Sequence, residues 1–222
     1  MRYRAALFDF DGTLAPSLPL WVKAYQLSLL HYGISVSEEE VLRRCFFRDL
    51  NDVSADFGGF TAAEFQAQLD VGLQQAFTEA ELFPLARPVV EHCRVHGLQT
   101  ALVTSAPRAL VLGVIERLKL SRLFDFIVCG DDVSHYKPHP ESVLTTLAAL
   151  ERRPDEAIMI GDSHVDVLAG KAAGTRTALF WPQEHGRFHN AEKLHAAGAD
   201  HIFRDHGELP ALLDLPELAA FA

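Results

Sequence analysis

Two carboxylates stand two positions apart in the run Asp9-Phe10-Asp11-Gly12-Thr13, directly after a short apolar stretch at 5–8. Asp and Gly are ordinary turn formers, so taken alone the run fits a tight turn as well as a reactive pair. Its meaning changes beside the other polar residues that follow apolar stretches. Thr104 ends the stretch at 100–104 and Ser105 follows it, Asp131 and Asp132 follow 126–129, and Asp162, Ser163 and Asp166 follow 157–160. Lys137 lies just beyond the third stretch, in Tyr136-Lys137-Pro138-His139-Pro140. If these stretches are parallel strands, their successors gather at one sheet edge, where open α/β sheets bind ligands. Carboxylates converging there repel one another unless a cation neutralises them. Hard oxygen donors of this kind suit magnesium, which keeps several waters and accepts a phosphate oxygen. No histidine or cysteine belongs to this set, which disfavours zinc.

The elements that must position these residues are legible in the hydropathy pattern. The stretches at 5–8, 100–104, 126–129, 157–160 and 177–181 are short and continuously apolar, as expected of strands covered on both faces. Helical patterns separate the later ones: 89–96 ending at Gly97, 110–120 with an apolar stripe, a helix opening at Pro140, and one around 165–168 that runs out at Gly174. This alternation predicts a doubly wound α/β sheet. Between 16 and 82 no strand pattern occurs. Ser37 with Glu40 and Thr61 with Glu64 read there as capping boxes, and a helix over 20–32 stops at Gly33. The expected organisation is therefore an α/β core domain of residues 1–15 and 83–222, with a helical cap domain at 16–82. The last stretch, 186–222, is expected to hold a helix, a short strand at 201–203 and a terminal helix.

Four segments together resemble, in order, the motifs of the haloacid dehalogenase superfamily: Asp9-Phe10-Asp11-Gly12-Thr13-Leu14, Thr104 after its apolar run, Lys137-Pro138, and Gly161-Asp162-Ser163-His164-Val165-Asp166. A helical cap inserted after the first motif is similar to the subgroup of phosphoglycolate phosphatases and β-phosphoglucomutases. Pro16 stands where many relatives carry an acidic residue before the serine matched to Ser17. The resemblance implies a Rossmann-like core with strand order 3-2-1-4-5 and a magnesium-dependent phosphatase acting on a small phosphomonoester. It implies Asp9 as nucleophile forming an aspartyl-phosphate, and Asp11 as the acid and base that also offers a main-chain carbonyl to the metal. Thr104 and Lys137 would bind the phosphoryl group, Asp162 would complete the metal site with Asp9, and Asp166 would orient Lys137 or a metal-bound water. A phosphosugar mutase is the alternative, and a non-catalytic binding protein on the same fold a further one.

Each of these residues also has a structural reading. Thr104 or Ser105 could cap the helix near Pro107, Lys137 could be a solvated charge, and Asp166 could serve the helix dipole. Ser105 is a further phosphate-binding candidate. Arg48, chosen over Arg43 and Arg44, could grip an anionic substrate group or simply belong to a solvated helix face. Asp131 and Asp132 read as turn formers. His185 and His189 are spaced by four, with His195, His201 and His206 following; a solvated surface accounts for them, metal binding lacks an accompanying carboxylate pattern, and a rim facing the cap is the other reading. The 222 residues carry a net charge of -10, which disfavours nucleic acid as a partner. Three scattered cysteines read as buried free thiols of a reducing compartment. With no membrane-length apolar run and no signal-type segment, the expected location is the cytoplasm, and a monomer or homodimer is expected.

Overall fold

A computed structural model describes residues 2–218 of the chain. Its centre is a parallel sheet of six strands: Ala5–Phe8 (β1), Gln99–Val103 (β2), Phe126–Val128 (β3), Ala157–Gly161 (β4), Arg176–Phe180 (β5) and His201–Phe203 (β6). Their order is β3-β2-β1-β4-β5-β6, so the expected arrangement holds and the short strand at 201–203 extends it at one edge. β1 lies between β2 and β4 with all four residues buried, which is why its sequence shows no polar alternation. Register matters more for the site than strand length. Phe8 pairs with Leu102 on one side and Ile160 on the other. The residues that leave β1, β2 and β4 therefore emerge side by side.

Ten α-helices accompany the strands among the described residues: α1 Leu18–His31, α2 Glu38–Arg44, α3 Leu50–Phe57, α4 Ala62–Ala76, α5 Ala86–Val95, α6 Arg108–Arg117, α7 Glu141–Ala149, α8 His164–Ala173, α9 Ala191–Ala197 and α10 Leu209–Leu212. The last is a single turn. The chain divides into two compact units, one of residues up to Pro16 and from Glu81 onward, the other Ser17–Ala80. In the first, Leu7, Val103 and Met159 from neighbouring strands pack with Val143 and Leu147 of α7 and Ala169 and Ala173 of α8. Burying such side chains contributes about 1.5–3 kcal/mol each for the larger ones. In the second, α1 and α4 pack closely. A side chain at Gly72 would place its Cβ 2.8 Å from the Ala24 carbonyl oxygen, so glycine is what lets the two helices approach. Tyr25 stacks on Phe65, and Phe60 lies 4.8 Å from Phe65 between ring centroids. Both anticipated capping boxes form, at Ser37–Glu40 and Thr61–Glu64. The three cysteines are free and buried, and burial pushes each thiol up to about 12. No helix among the described residues is long and apolar enough to cross a membrane.

Candidate active site

The loop after β1 is wound tightly. The Phe10 carbonyl accepts the amides of Thr13, Leu14 and Ala15, and Gly12 donates to the Ala15 carbonyl with a left-handed φ of 78°, a conformation that favours glycine. Asp9 itself still belongs to the sheet ladder, its amide donating to the Ile160 carbonyl at 2.8 Å. Its side chain is buried at the carboxyl edge, with Thr13 Oγ1 3.4 Å from Oδ2. The run is thus a tight turn that leaves the Asp9 carboxylate at the sheet edge.

Lys137 reaches this carboxylate from the loop beyond β3. Its Nζ donates to Asp9 Oδ1 at 2.7 Å, to Asp166 Oδ1 at 2.6 Å and to the Val103 carbonyl at 3.0 Å. Its side chain is 4% exposed, so the solvated-charge reading is excluded. Burial opposes the ammonium, but the charges and hydrogen bonds of Asp166 and Asp9 outweigh it and hold Lys137 above its ordinary value. Asp166 lies in the first turn of α8. Its other oxygen accepts the Ser163 amide at 3.1 Å and the Ser163 hydroxyl, while Ser163 caps the helix in return. One Asp166 side chain thus stands in the first turn of α8 and accepts from Lys137. Gly161 makes this possible, because a Cβ there would lie 2.3 Å from Asp166 Cβ.

Donor oxygens of Asp9, Asp162 and Asp166 lie within 4.8 Å of one another, all three residues buried. Burial first, and then the charges of Asp166, Asp162 and Asp11, push Asp9 well above the usual carboxylate range against the pull of Lys137. A crowded carboxylate edge of this kind fits a divalent cation, whose charge would restore the ionised form. Asp166 is already occupied by Lys137 and Ser163, so Asp9 and Asp162 are the better donors. Asp11 is half-buried, and its backbone bridges to Ala15.

The remaining expected residues divide. Thr104 is buried one residue past β2, where Oγ1 accepts the Ala106 amide at 3.1 Å; Ser105 is exposed. Neither caps α6, which has no side-chain cap at Pro107. Instead Asp131 accepts the Arg108 amide at 2.8 Å and Asp132 holds the Arg108 guanidinium and the Cys129 amide. Both aspartates therefore shape the loop, as their turn reading held. Arg48 lies in the helical unit, where it ion-pairs with Asp56.

The histidines require correction. His185, His189 and His206 are buried rather than solvated. A helical turn after β5, continued by the His189 amide donating to the His185 carbonyl, sets His185 and His189 against Asp162. His189 Nε2 is 2.8 Å and His185 Nδ1 3.7 Å from Asp162 Oδ2. The edge therefore does hold histidines, contrary to the sequence reading. Their spacing of four was the available signal, but no sequence feature named Asp162 as their neighbour. Burial against Phe83 and Phe180 holds His185 below its ordinary value, hence neutral. His206, past β6, donates from Nε2 to the Thr13 carbonyl at 2.9 Å, tying the tail to the Asp9 loop.

Known proteins resemble the chain along most of its length. The sequence model of the haloacid dehalogenase-like hydrolases matches residues 6–180. Phosphoglycolate phosphatase 1 of Pseudomonas aeruginosa is 31% identical over 196 residues, covering 83% of this chain and 72% of its own. Pyrophosphatase PpaX of Anoxybacillus flavithermus is 32% identical over 190 residues, 80% of this chain and 83% of its own. Among solved structures, a provisionally named β-phosphoglucomutase of Thermotoga maritima superposes with a TM-score of 0.77 at 26% identity, over 96% of this chain and 100% of that one. CbbY of Rhodobacter sphaeroides shares the fold with a TM-score of 0.81 at 24% identity, again over 96% and 100%. With matches of this extent to the sequence, and the motif residues drawn together at one sheet edge, the chain belongs to the haloacid dehalogenase-like hydrolases and is a phosphohydrolase.

Proposed function

We propose that this protein is a magnesium-dependent phosphatase that hydrolyses a small phosphomonoester through an aspartyl-phosphate on Asp9. The observation that carries the reading is the Lys137 ammonium, buried and shared between Asp9 and Asp166 beside Asp162. A lysine so placed can neutralise both the attacking carboxylate and a phosphoryl oxygen, and phosphoryl transfer depends chiefly on such positioning and charge. In the first step the Asp9 carboxylate forms a bond to phosphorus while the ester oxygen departs, taking a proton from Asp11. In the second, water attacks the same phosphorus, Asp11 takes its proton, and Asp9 is released with inorganic phosphate. Thr104 is assigned to a phosphoryl oxygen, with Ser105 beside it. Held by Asp9, Asp162 and the Asp11 main-chain carbonyl, magnesium would supply positive charge to the carboxylates and the phosphoryl oxygens.

The inserted helical unit is assigned the choice of substrate, as a cap entering the chain after the Asp9 loop. The names of its relatives span a phosphoglycolate ester and a pyrophosphate anhydride, so phosphoglycolate, sugar phosphates and pyrophosphate form the first panel. Three free buried thiols support a cytoplasmic location. The test is release of inorganic phosphate from this panel with magnesium present. Turnover is expected to vanish on chelation and to fall to background in Asp9→Asn; an Asp9→Asn variant as active as the parent would overturn the mechanism. Recovery of isomerised sugar phosphate without free phosphate would assign the chain to the mutases instead.

A further inference from the structure

The two histidines beside Asp162 have no part in phosphoryl transfer as derived above, yet the fold buries them at the carboxyl edge of the sheet. Asp162, His185 and His189 are 2%, 2% and 8% exposed, and one donor atom from each lies within 4.8 Å of the others. His185 Nδ1 has no hydrogen-bond partner, although it is buried and 3.7 Å from Asp162 Oδ2. A buried polar nitrogen left without a partner is costly, which calls for a ligand at that atom.

We infer that Asp162, His185 and His189 form a second divalent-cation site, for a borderline ion of the zinc, cobalt or nickel class, next to the Asp9–Asp162 edge. Metal–donor bonds of about 2.1 Å in a tetrahedral shell separate donor atoms by roughly 3.4 Å. The two separations from Asp162 Oδ2, 2.8 and 3.7 Å, bracket that value, so a cation needs only small shifts of side chains already in place. It would take the position of the hydrogen between His189 Nε2 and Asp162 Oδ2, leaving the imidazole's proton to Nδ1. Two imidazoles with one carboxylate favour ions of this class, whereas the oxygen donors of Asp9 and Asp162 favour magnesium. Asp162 stands at the boundary and can serve both. Three protein donors leave a position open for water or an anion. The trio of the exposed His135 and His139 with the half-buried Glu141 is the rival place for such an ion. It is the weaker one, because the Glu141 oxygens already accept the amides of Ser134 and His135.

The experiment titrates Co2+ into the chelator-stripped full chain under saturating Mg2+ and follows the visible absorption of the bound ion. It reads binding and not turnover, so its outcome is independent of the phosphatase assignment. One equivalent is expected to bind with the intense bands of a low-coordinate, nitrogen-ligated ion. His185→Gln and His189→Gln should each weaken it by at least about 10-fold, while His139→Gln and Asp9→Asn change it by less than about 3-fold. No binding in the presence of Mg2+, indifference to both glutamine variants, or equal loss in Asp9→Asn or His139→Gln would overturn the inference. Should a glutamine variant fail to fold, the parent protein answers alone. Paramagnetic broadening by Co2+ must then reach the ring signals of His185 and His189, and its absence from them overturns the site.

Discussion

An ammonium group survives inside this sheet because each of its three hydrogens has an acceptor: Asp9, Asp166 and the Val103 carbonyl. Removing one acceptor leaves a buried charge under-compensated, which costs far more than the pair itself contributes. Asp166→Asn keeps the shape and removes the charge. We expect it to lower kcat by about 10–100-fold, the usual effect of disturbing a group that orients an active one. A steady-state assay on the best substrate of the panel checks this, and unchanged kcat would show that Lys137 is positioned without Asp166. Asp11→Asn is expected to cost about 100- to 10,000-fold, with the larger losses on esters whose leaving groups are poor acids. A uniform loss across leaving groups would remove Asp11 from the acid's role.

At the scale of elements, the site depends on how β4 hands the chain to α8. Ser163 and Asp166 form a reciprocal cap there, and Gly161 leaves room for the Asp166 side chain. Ser163→Ala should destabilise the fold by ~1 kcal/mol, and Gly161→Ala by about 1–3 kcal/mol through overpacking. Denaturant unfolding of both variants measures these costs. The boxes at Ser37–Glu40 and Thr61–Glu64 were legible in the sequence, because capping relates residues only three apart, whereas at the start of α8 only Asp166 as a first-turn acid was read. The strand ends carrying Asp9, Thr104 and Asp162 were legible for a similar reason, since a buried parallel strand announces itself by continuous apolarity. What escaped the sequence depends on contacts across long chain separations. Asp162 meets His189 only because the turn after β5 folds back on the end of β4, and His206 meets Thr13 only because β6 joins the sheet edge. Arg108 was missed likewise, since its partner Asp132 lies across the loop after β3.

For the molecule as a whole, His206 sets an acid limit. Burial, opposed by its bond to Thr13 and by Asp205, lowers it from 6.5 to about 4. Between those values the unfolded chain binds the proton and the folded chain does not. Stability is therefore complete above about pH 6.5 and falls as pH drops towards 4, by ~3 kcal/mol in all from this group. Thermal melts of the parent and of His206→Gln across this window should show a weaker pH dependence in the variant. Parallel profiles would mean that His206 does not control it. The central position of β1 has a further consequence, for the growing chain on the ribosome. β1 is made first, yet both its neighbours come later, β2 from residue 99 and β4 from residue 157. Roughly 150 residues separate the end of β1 from the end of β4, so at ~5–20 residues per second roughly 8–30 s pass between their synthesis. Until β2 and then β4 have been made, β1 keeps an unpaired apolar edge, which makes it the natural segment for a chaperone to hold during translation.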